Sequence, residues 1–399
     1  MTLVALAPLV TLAEDSAGTT WKAFWVTVTE QNPKTRVLKA KTEAARSEIV
    51  QELPAPMIGL GSMGMNGPTS GVMERTFEVS QKIPFPTKFF KASGVKDARV
   101  AVASSDENTE LQRIEIEASD FFIGLYQNLK SQELFSENQG ILARHLKRLK
   151  SLTLFDQLQK IHILEIEAEI KSIDSEIKEL QFKEKELRRR IAVLLNEDGS
   201  FPGKPILKDL GPPRQVQIPK SLILSESARK REELAITEAS YAKQEWLPDL
   251  TLTYRRRNRL DGVMPSSHEV MIGIEVPFLW GWQPSAKNRA ASALSEQARY
   301  SAIENQREVV GEIETLRDRV KTLWERIQLF RNEILPIQEK RVHLVHRISP
   351  SDMESLDAHR TTLEKWLIDR IKLLEIESEY RRATATLEIL LKPTASEVS

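Results

Sequence analysis

Apolar and polar residues alternate one for one in two parts of the chain, and a long run with helical spacing follows each. In the first part Met73, Arg75, Phe77, Val79 and Gln81 fall on one side and Glu74, Thr76, Glu78, Ser80 and Lys82 on the other. A period of two is that of a strand with one wet and one mostly dry face. The turn cluster NGPTSG (66–71) and a shorter extended segment precede it. This predicts a hairpin with strands at 55–66 and 72–83. In the second part Leu250, Leu252 and Tyr254 alternate with Thr251 and Thr253, and Val270, Ile272, Ile274 and Val276 with Met271, Gly273 and Glu275. Strands are expected there at 248–258 and 268–277.

Around these hairpins the spacing is helical. Trp21, Phe24, Trp25, Val28, Val37 and Leu38 mark a first helix that Pro33 interrupts, and residues 87–149 carry no proline at all. At 1.5 Å per residue that second run is a rod of about 95 Å. KSLT (150–153) reverses the chain. Over 153–195 a stripe through Leu158, Ile161, Ile166, Ile170, Ile173, Ile177, Leu180, Leu187, Ile191 and Leu194 returns at near-heptad spacing, suited to a partner helix. A Pro/Gly-rich connector, 196–219, divides the chain. The programme then repeats: a helix from Ser221 to Trp246, the second hairpin, a long helix over 284–346 kinked at Pro336, and a return helix over 352–391.

The two programmes share a register. Leu53-Pro54 and Leu247-Pro248 lie 194 positions apart, Pro84-Phe85 and Pro277-Phe278 193, and Asp156 and Asp352 196. One offset at three landmarks argues for internal duplication. The expected organisation is a signal-peptide remnant (1–13), repeat one (14–195), an equatorial linker (196–219), repeat two (220–392) and a tail (393–399). The fold class is mainly α with a small β part, as two tandem repeats of helix, hairpin, long helix and return helix.

Composition narrows the function. Among 399 residues, 57 basic and 57 acidic side chains cancel, so no net charge draws the chain to nucleic acid. Cysteine is absent, which excludes disulfides, thiolate metal sites, a cysteine nucleophile and a lipidated cysteine. Residues 3–13 have the apolar character of a secretory signal core without a basic flank. No other apolar run approaches the roughly 18–20 residues of a membrane helix, so any membrane crossing would use strands. Strands of about 9–11 residues fit an outer-membrane barrel. Four cannot close one, but three chains would supply twelve. The alternative is a hairpin capping a coiled coil in water, although isolated hairpins are marginal.

With these features the chain resembles the TolC family of outer-membrane efflux proteins over Trp21 to Leu391. The resemblance rests on Asn32-Pro33 in the first helix, on LPAP and WLPDLTL entering the strands, on SQKIPFPTK and IEVPF leaving them, and on LDAHR (356–360) after the second reversal. Their order and duplicated spacing carry it, and the wording near the prolines is similar to the heavy-metal-efflux branch. The family usually shows a Tyr and a Gly before the second reversal, where this chain has Val345 and Ile348, with Pro350 beyond. The resemblance implies a homotrimer with a 12-stranded β-barrel in the outer membrane of a Gram-negative bacterium and a 12-helix α-barrel in the periplasm. It implies as partners outer-membrane lipid, a periplasmic adaptor (membrane fusion) protein and an inner-membrane pump, with the proton-driven resistance-nodulation-division type as the candidate. The implied function is a passive exit duct. The competing reading is a periplasmic coiled-coil adaptor or scaffold.

Candidate residues follow. Near the two reversals, Lys150, Asp156, Arg347, Asp352 and Asp357 are candidates for the lumen or gate of a periplasmic tip; Asp156 and Asp352 suit helix capping equally well. Pro84, Pro86 and Pro277 mark strand-to-helix junctions. Phe85, Phe278, Trp280 and Trp282 fit a membrane-interface belt or packing beneath it. Arg255, Arg256, Arg257 and Arg259 form an expected extracellular basic loop, solvated or facing lipopolysaccharide phosphates. His343 and His346, with His359 across the reversal, read better as surface residues than as metal ligands. No catalytic or cofactor-binding pattern is present, so no enzyme and no cofactor is expected.

Overall fold

The computed structural model describes residues 18–50, 53–65, 71–151, 157–214, 217–219, 221–259, 266–275, 282–347 and 353–393. The two-residue strand β1 (Thr19–Thr20) leads into α1 (Trp21–Gln31), α2 (Pro33–Ser47), the hairpin β2 (Met57–Met65) and β3 (Gly71–Ile83), then α3 (Pro86–Ser151) and α4 (Gln157–Leu194). After β4 (Pro205–Ile206) come α5 (Ile223–Ala242), a 3-10 turn (Lys243–Trp246), the hairpin β5 (Asp249–Arg259) and β6 (Ser267–Glu275), and α6 (Trp282–Leu329). A π turn (Phe330–Ile334), α7 (Leu335–Arg347) and α8 (Met353–Leu390) follow.

Local chemistry sets several boundaries. Asn32 stops α1 and starts α2: its Oδ1 accepts the Lys34 N–H at 2.8 Å, and Pro33, which has no N–H to leave unpaired, fills the first helical position. At the end of α4, Asn196 takes a left-handed φ of 54°. The Glu197 N–H then donates to Ala192 O at 2.9 Å and the Asn196 N–H to Val193 O at 3.2 Å, a Schellman closure. The kink expected at Pro336 takes the form of the π turn just before it, where the Leu335 N–H donates back to Phe330 O. One extra residue per turn moves the backbone away from a proline ring that an α-helical carbonyl would strike.

The chain forms two compact units, whose boundaries fall inside α2, α3 and α6 and before the last residue of α8. The first contains Met1–Thr35, Gln112–Ile218 and Ile313–Ile389. Here Phe24 stacks on Phe122 with ring centroids 5.1 Å apart and meets Phe201 edge-on, tying α1 to α3 and to the connector after α4. Leu142, Leu149, Ile166 and Ile173 are buried along the α3/α4 seam, flanked by Phe135, Leu146, Ile163, Ile170 and Ile177. Seven-residue steps on both helices keep that seam in register. The expected stripe includes Ile161, but that residue is exposed, as are Leu164, Phe182 and Val193; α4 thus carries apolar side chains away from the α3 seam as well. Helix α8 reaches α3 through Arg370–Glu137 and Arg382–Asp120, both at 2.8 Å.

The second unit contains Arg36–Leu111, Pro219–Glu312 and Leu390–Ser399. In it the two hairpins make one antiparallel sheet of order β2-β3-β5-β6. Arg99 on α3 pairs with Glu48 and, at 3.0 Å, with Glu238 on α5. Asp106 accepts from Ser227 and from Arg231, the latter at 2.9 Å. These contacts set α3 between the segment after α2 and α5.

Candidate functional site: a two-faced sheet and the reversal ends of the long helices

The sheet register sorts side chains by face. Ile58, Val79, Tyr254 and Val270 form one rung across all four strands, and Leu60, Phe77, Arg256 and His268 the next. Gln81, Leu252 and Ile272, then Ile83, Leu250 and Ile274, extend this face toward the helices. Much of it is bare, with Leu60 83% and Ile272 73% exposed. Keeping such a side chain in water rather than apolar surroundings costs about 1.5–3 kcal/mol each, so this face is built to meet an apolar medium or partner.

The opposite face is mainly ionic, with Met57 and Met63 on β2 and Met271 on β6 also exposed there. Arg255 pairs with Glu78 at 2.7 Å, and Arg257 with Glu269 at 3.1 Å and Glu74 at 3.7 Å. Lys82 contacts Glu275 and, at 3.6 Å, Asp249. The basic segment is therefore not a loop: Arg255, Arg256 and Arg257 are strand residues and Arg259 closes β5. Alternation inside the strand sends Arg255 and Arg257 to the ionic face and Arg256 to the apolar one. On edge strand β2 this face is thinned by Gly61, where a Cβ would stand 2.5 Å from Thr76 Oγ1.

At the strand exit, β3 ends at Ile83 and α3 opens on Pro86, with Pro84 buried between them and Phe85 half-buried. Asp249 Oδ1 accepts the Phe85 N–H at 3.2 Å and the Lys88 ammonium at 2.6 Å. The carboxylate thus caps the start of α3 from the first residue of β5. Trp282 opens α6 and is 62% exposed, while Phe90, one helical turn past Pro86, is 79% exposed. Pro277, Phe278 and Trp280 lie outside the described residues.

At the reversal ends, Lys150 makes a surface ion pair with Glu167 at 2.6 Å. Arg347 closes α7 and Asp357 lies near the start of α8; Asp156 and Asp352 lie outside the described residues. The structure adds His145 and Glu169, which sequence spacing did not single out, and corrects His359, which is half-buried and not a surface residue. His145 on α3 stacks against His359 on α8, centroids 5.0 Å apart and planes within 10°. Burial pushes the His145 imidazole below its ordinary value, reinforced by Arg148 and His162. Glu169 on α4 faces Arg360 at 3.9 Å, and burial, then Glu364, pushes its carboxyl up against the pull of Arg360. The signal for this cluster was LDAHR, whose His359 and Arg360 reach α3 and α4. His343 is exposed. Among the described residues no group of three His, Cys, Asp or Glu is placed to hold a metal ion, and no helix is long and apolar enough to cross a membrane.

Solved outer-membrane proteins share this architecture. VceC, an outer membrane protein of Vibrio cholerae, matches with a TM-score of 0.77 at 14% identity, over 94% of this chain and 96% of its own. CusC, described in terms of folding and transmembrane channel formation, gives 0.76 at 13% identity over 94% and 92%. The outer membrane channel MtrE of Neisseria gonorrhoeae, solved in its open state, gives 0.71 at 13% identity over 93% and 88%. The chain matches no family model and no curated protein. Across nearly its whole length, this chain has the fold of these outer-membrane channels.

Proposed function

We propose that the protein is the outer-membrane channel of a tripartite efflux or secretion system, a passive trimeric exit duct and not an enzyme. The observation that carries this reading is the sheet: one apolar face, one mainly ionic face, and two edges, β2 and β6, that pair with no further strand among the described residues. An open edge is not tolerated in a bilayer, where each unpaired backbone group costs several kcal/mol. Successive antiparallel pairings make β2 and β6 run oppositely. The β6 edge of one copy can therefore continue antiparallel onto the β2 edge of the next. Three copies give twelve strands, with the apolar face toward lipid and the ionic face lining water.

The tandem-repeat reading is supported by element positions. Helices α3 and α6 open at Pro86 and Trp282, 196 positions apart, and α4 and α8 close at Leu194 and Leu390, again 196 apart. In this reading α3 with α4 and α6–α7 with α8 contribute four helices per chain to a twelve-helix periplasmic barrel. Its reversal ends, with Lys150, Asp156, Arg347, Asp352 and Asp357, would meet the adaptor, and the pump, of the proton-driven resistance-nodulation-division type, would supply energy and choose the substrate. Phe85, Phe278, Trp280 and Trp282 are assigned to the membrane interface, and Pro84, Pro86 and Pro277 to equivalent bends at one level of the duct.

The test is fractionation and gel behaviour. The protein should leave outer membranes only with detergent, run as a heat-labile trimer, and conduct ions in planar bilayers. A water-soluble monomer would return the chain to the scaffold reading.

A further inference from the structure

We propose that the far end of the apolar sheet face is a binding site for the phosphates of an anionic lipid headgroup, held by Arg75 and Arg256 with His268. This rests on the channel reading, which puts that face against lipid and the strand ends away from the helices at the outer leaflet.

The rungs change character along the face. From Ile83 to Leu60 they are apolar except for Gln81 and the end pair of Arg256 and His268, and the next rung is Ser62, Arg75 and Asn258. Arg75 and Arg256 are exposed, and neither has an acidic partner among the described residues. Their neighbours across the strand make the contrast: Arg255 and Arg257 point to the other face and are matched to Glu78, Glu269 and Glu74. Arg75 and Arg256 are diagonal neighbours on adjacent strands, a relation that places backbones about 7–8 Å apart. Two unmatched guanidinium groups at that spacing repel, and a multiply charged phosphate between them removes the repulsion with forked hydrogen bonds. His268 joins on the same rung. Its Nδ1 lies 2.6 Å from the Tyr254 hydroxyl; with the phenol donating, the ring keeps an N–H on Nε2 as a third donor.

The two ends of the face differ. Near the helices the exposed groups include the aromatics Phe90 and Trp282; Lys88 is matched by Asp249, and Lys82, on the ionic face, by Glu275. On the apolar face of the sheet itself, positive charge without an acidic partner among the described residues stands at the far rim, which suits a leaflet whose headgroups carry phosphate.

The test uses the full chain in phosphatidylcholine bilayers doped with bisphosphoryl lipid A, or with the same lipid after enzymatic removal of its phosphates. Lipid retained by the purified protein is quantified by mass spectrometry. The native protein should prefer the phosphorylated form by about ten-fold, the scale of one charge-assisted contact. R75Q/R256Q should lose the preference and R75K/R256K should keep part of it. If the double glutamine variant fails to insert, R256Q alone should show the reduction. Equal retention of the two lipids, or an unchanged preference in the glutamine variants, overturns the proposal. Release of the lipid by excess inorganic phosphate also overturns it, because the site would then take any free anion. A native protein that inserts as a trimer without preference refutes the lipid site alone; one that does not insert at all refutes the channel reading and the site with it.

Discussion

The two long helical pairs follow one plan and differ in how they are held. In the first, α3 runs 66 residues unbroken, and its seam with α4 is aliphatic. In the second, the corresponding helix is interrupted by the π turn before Pro336, and beyond it a buried hydrogen bond joins α7 to α8, Gln338 Nε2 donating to Asp369 Oδ2 at 2.9 Å. An aliphatic seam gains from every methylene it buries. A buried amide–carboxylate pair contributes little net free energy but is costly to break. Both pairs bury aliphatic residues, Val320, Leu323 and Ile327 on α6 and Leu363, Leu367 and Leu374 on α8 in the second; the second differs in adding a buried polar contact beyond a backbone irregularity.

Mutations can break this comparison, starting with the largest effect. Leu142→Ala opens the first seam and should cost about 2–5 kcal/mol, read as a lower denaturation midpoint. An effect under the lower bound would mean that the seam is not a main source of stability. Asp369→Ala leaves the Gln338 amide buried without its partner and should cost about 1–3 kcal/mol, with faster hydrogen exchange confined to α7 and α8. Replacing both residues by leucine should recover most of that loss; if it does not, the pair contributes more than satisfaction of its own polar groups. Pro336→Ala restores a backbone donor and should slow exchange across 330–347 while leaving 140–150 unchanged. Equal slowing in both regions would show that the π turn does not localise motion.

Smaller effects come from the reversal ends. The folded His145 imidazole binds protons less readily than the unfolded one. As pH falls below the ordinary imidazole value of about 6.5 toward its lower folded value, the unfolded chain takes up more protons and stability falls. Glu169 has the opposite sign: its folded carboxyl holds a proton to higher pH than the unfolded one, so its contribution grows on acidification through that window. His145→Gln should flatten the acid loss of stability near pH 6, and Glu169→Gln should remove an opposing gain at lower pH. Smallest of all, Lys150→Gln removes a surface ion pair and should leave stability unchanged within scatter.

Much of this was legible from local pattern. Period-two alternation placed Phe77 and Val79 opposite Glu78 and Ser80, and proline-free runs marked α3. The failures share a cause in sequence distance. Arg255 falls inside the strand expected at 248–258, but the reading of it as part of an extracellular basic loop missed its partner Glu78, which lies 177 positions away. The His145–His359 stack and the Glu169–Arg360 contact join elements that local spacing cannot connect. Ile161 fitted the apolar stripe, but the stripe is wider than the seam, so periodicity could not say which of its members stays exposed. The π turn was foreshadowed by Pro336, though a proline marks a disturbance without specifying its form.

The capping of α3 by Asp249 has a consequence for biogenesis. The acceptor for the Phe85 N–H is encoded 164 residues after it, so a nascent chain that has produced the first hairpin and all of α3 still has that helix start without its carboxylate. The bend between strand and helix is completed only when the second hairpin arrives. The first half expressed as a separate polypeptide would carry an unfinished hinge, and a carrier that shields exposed apolar strands in transit would have to hold it until residue 249 has emerged.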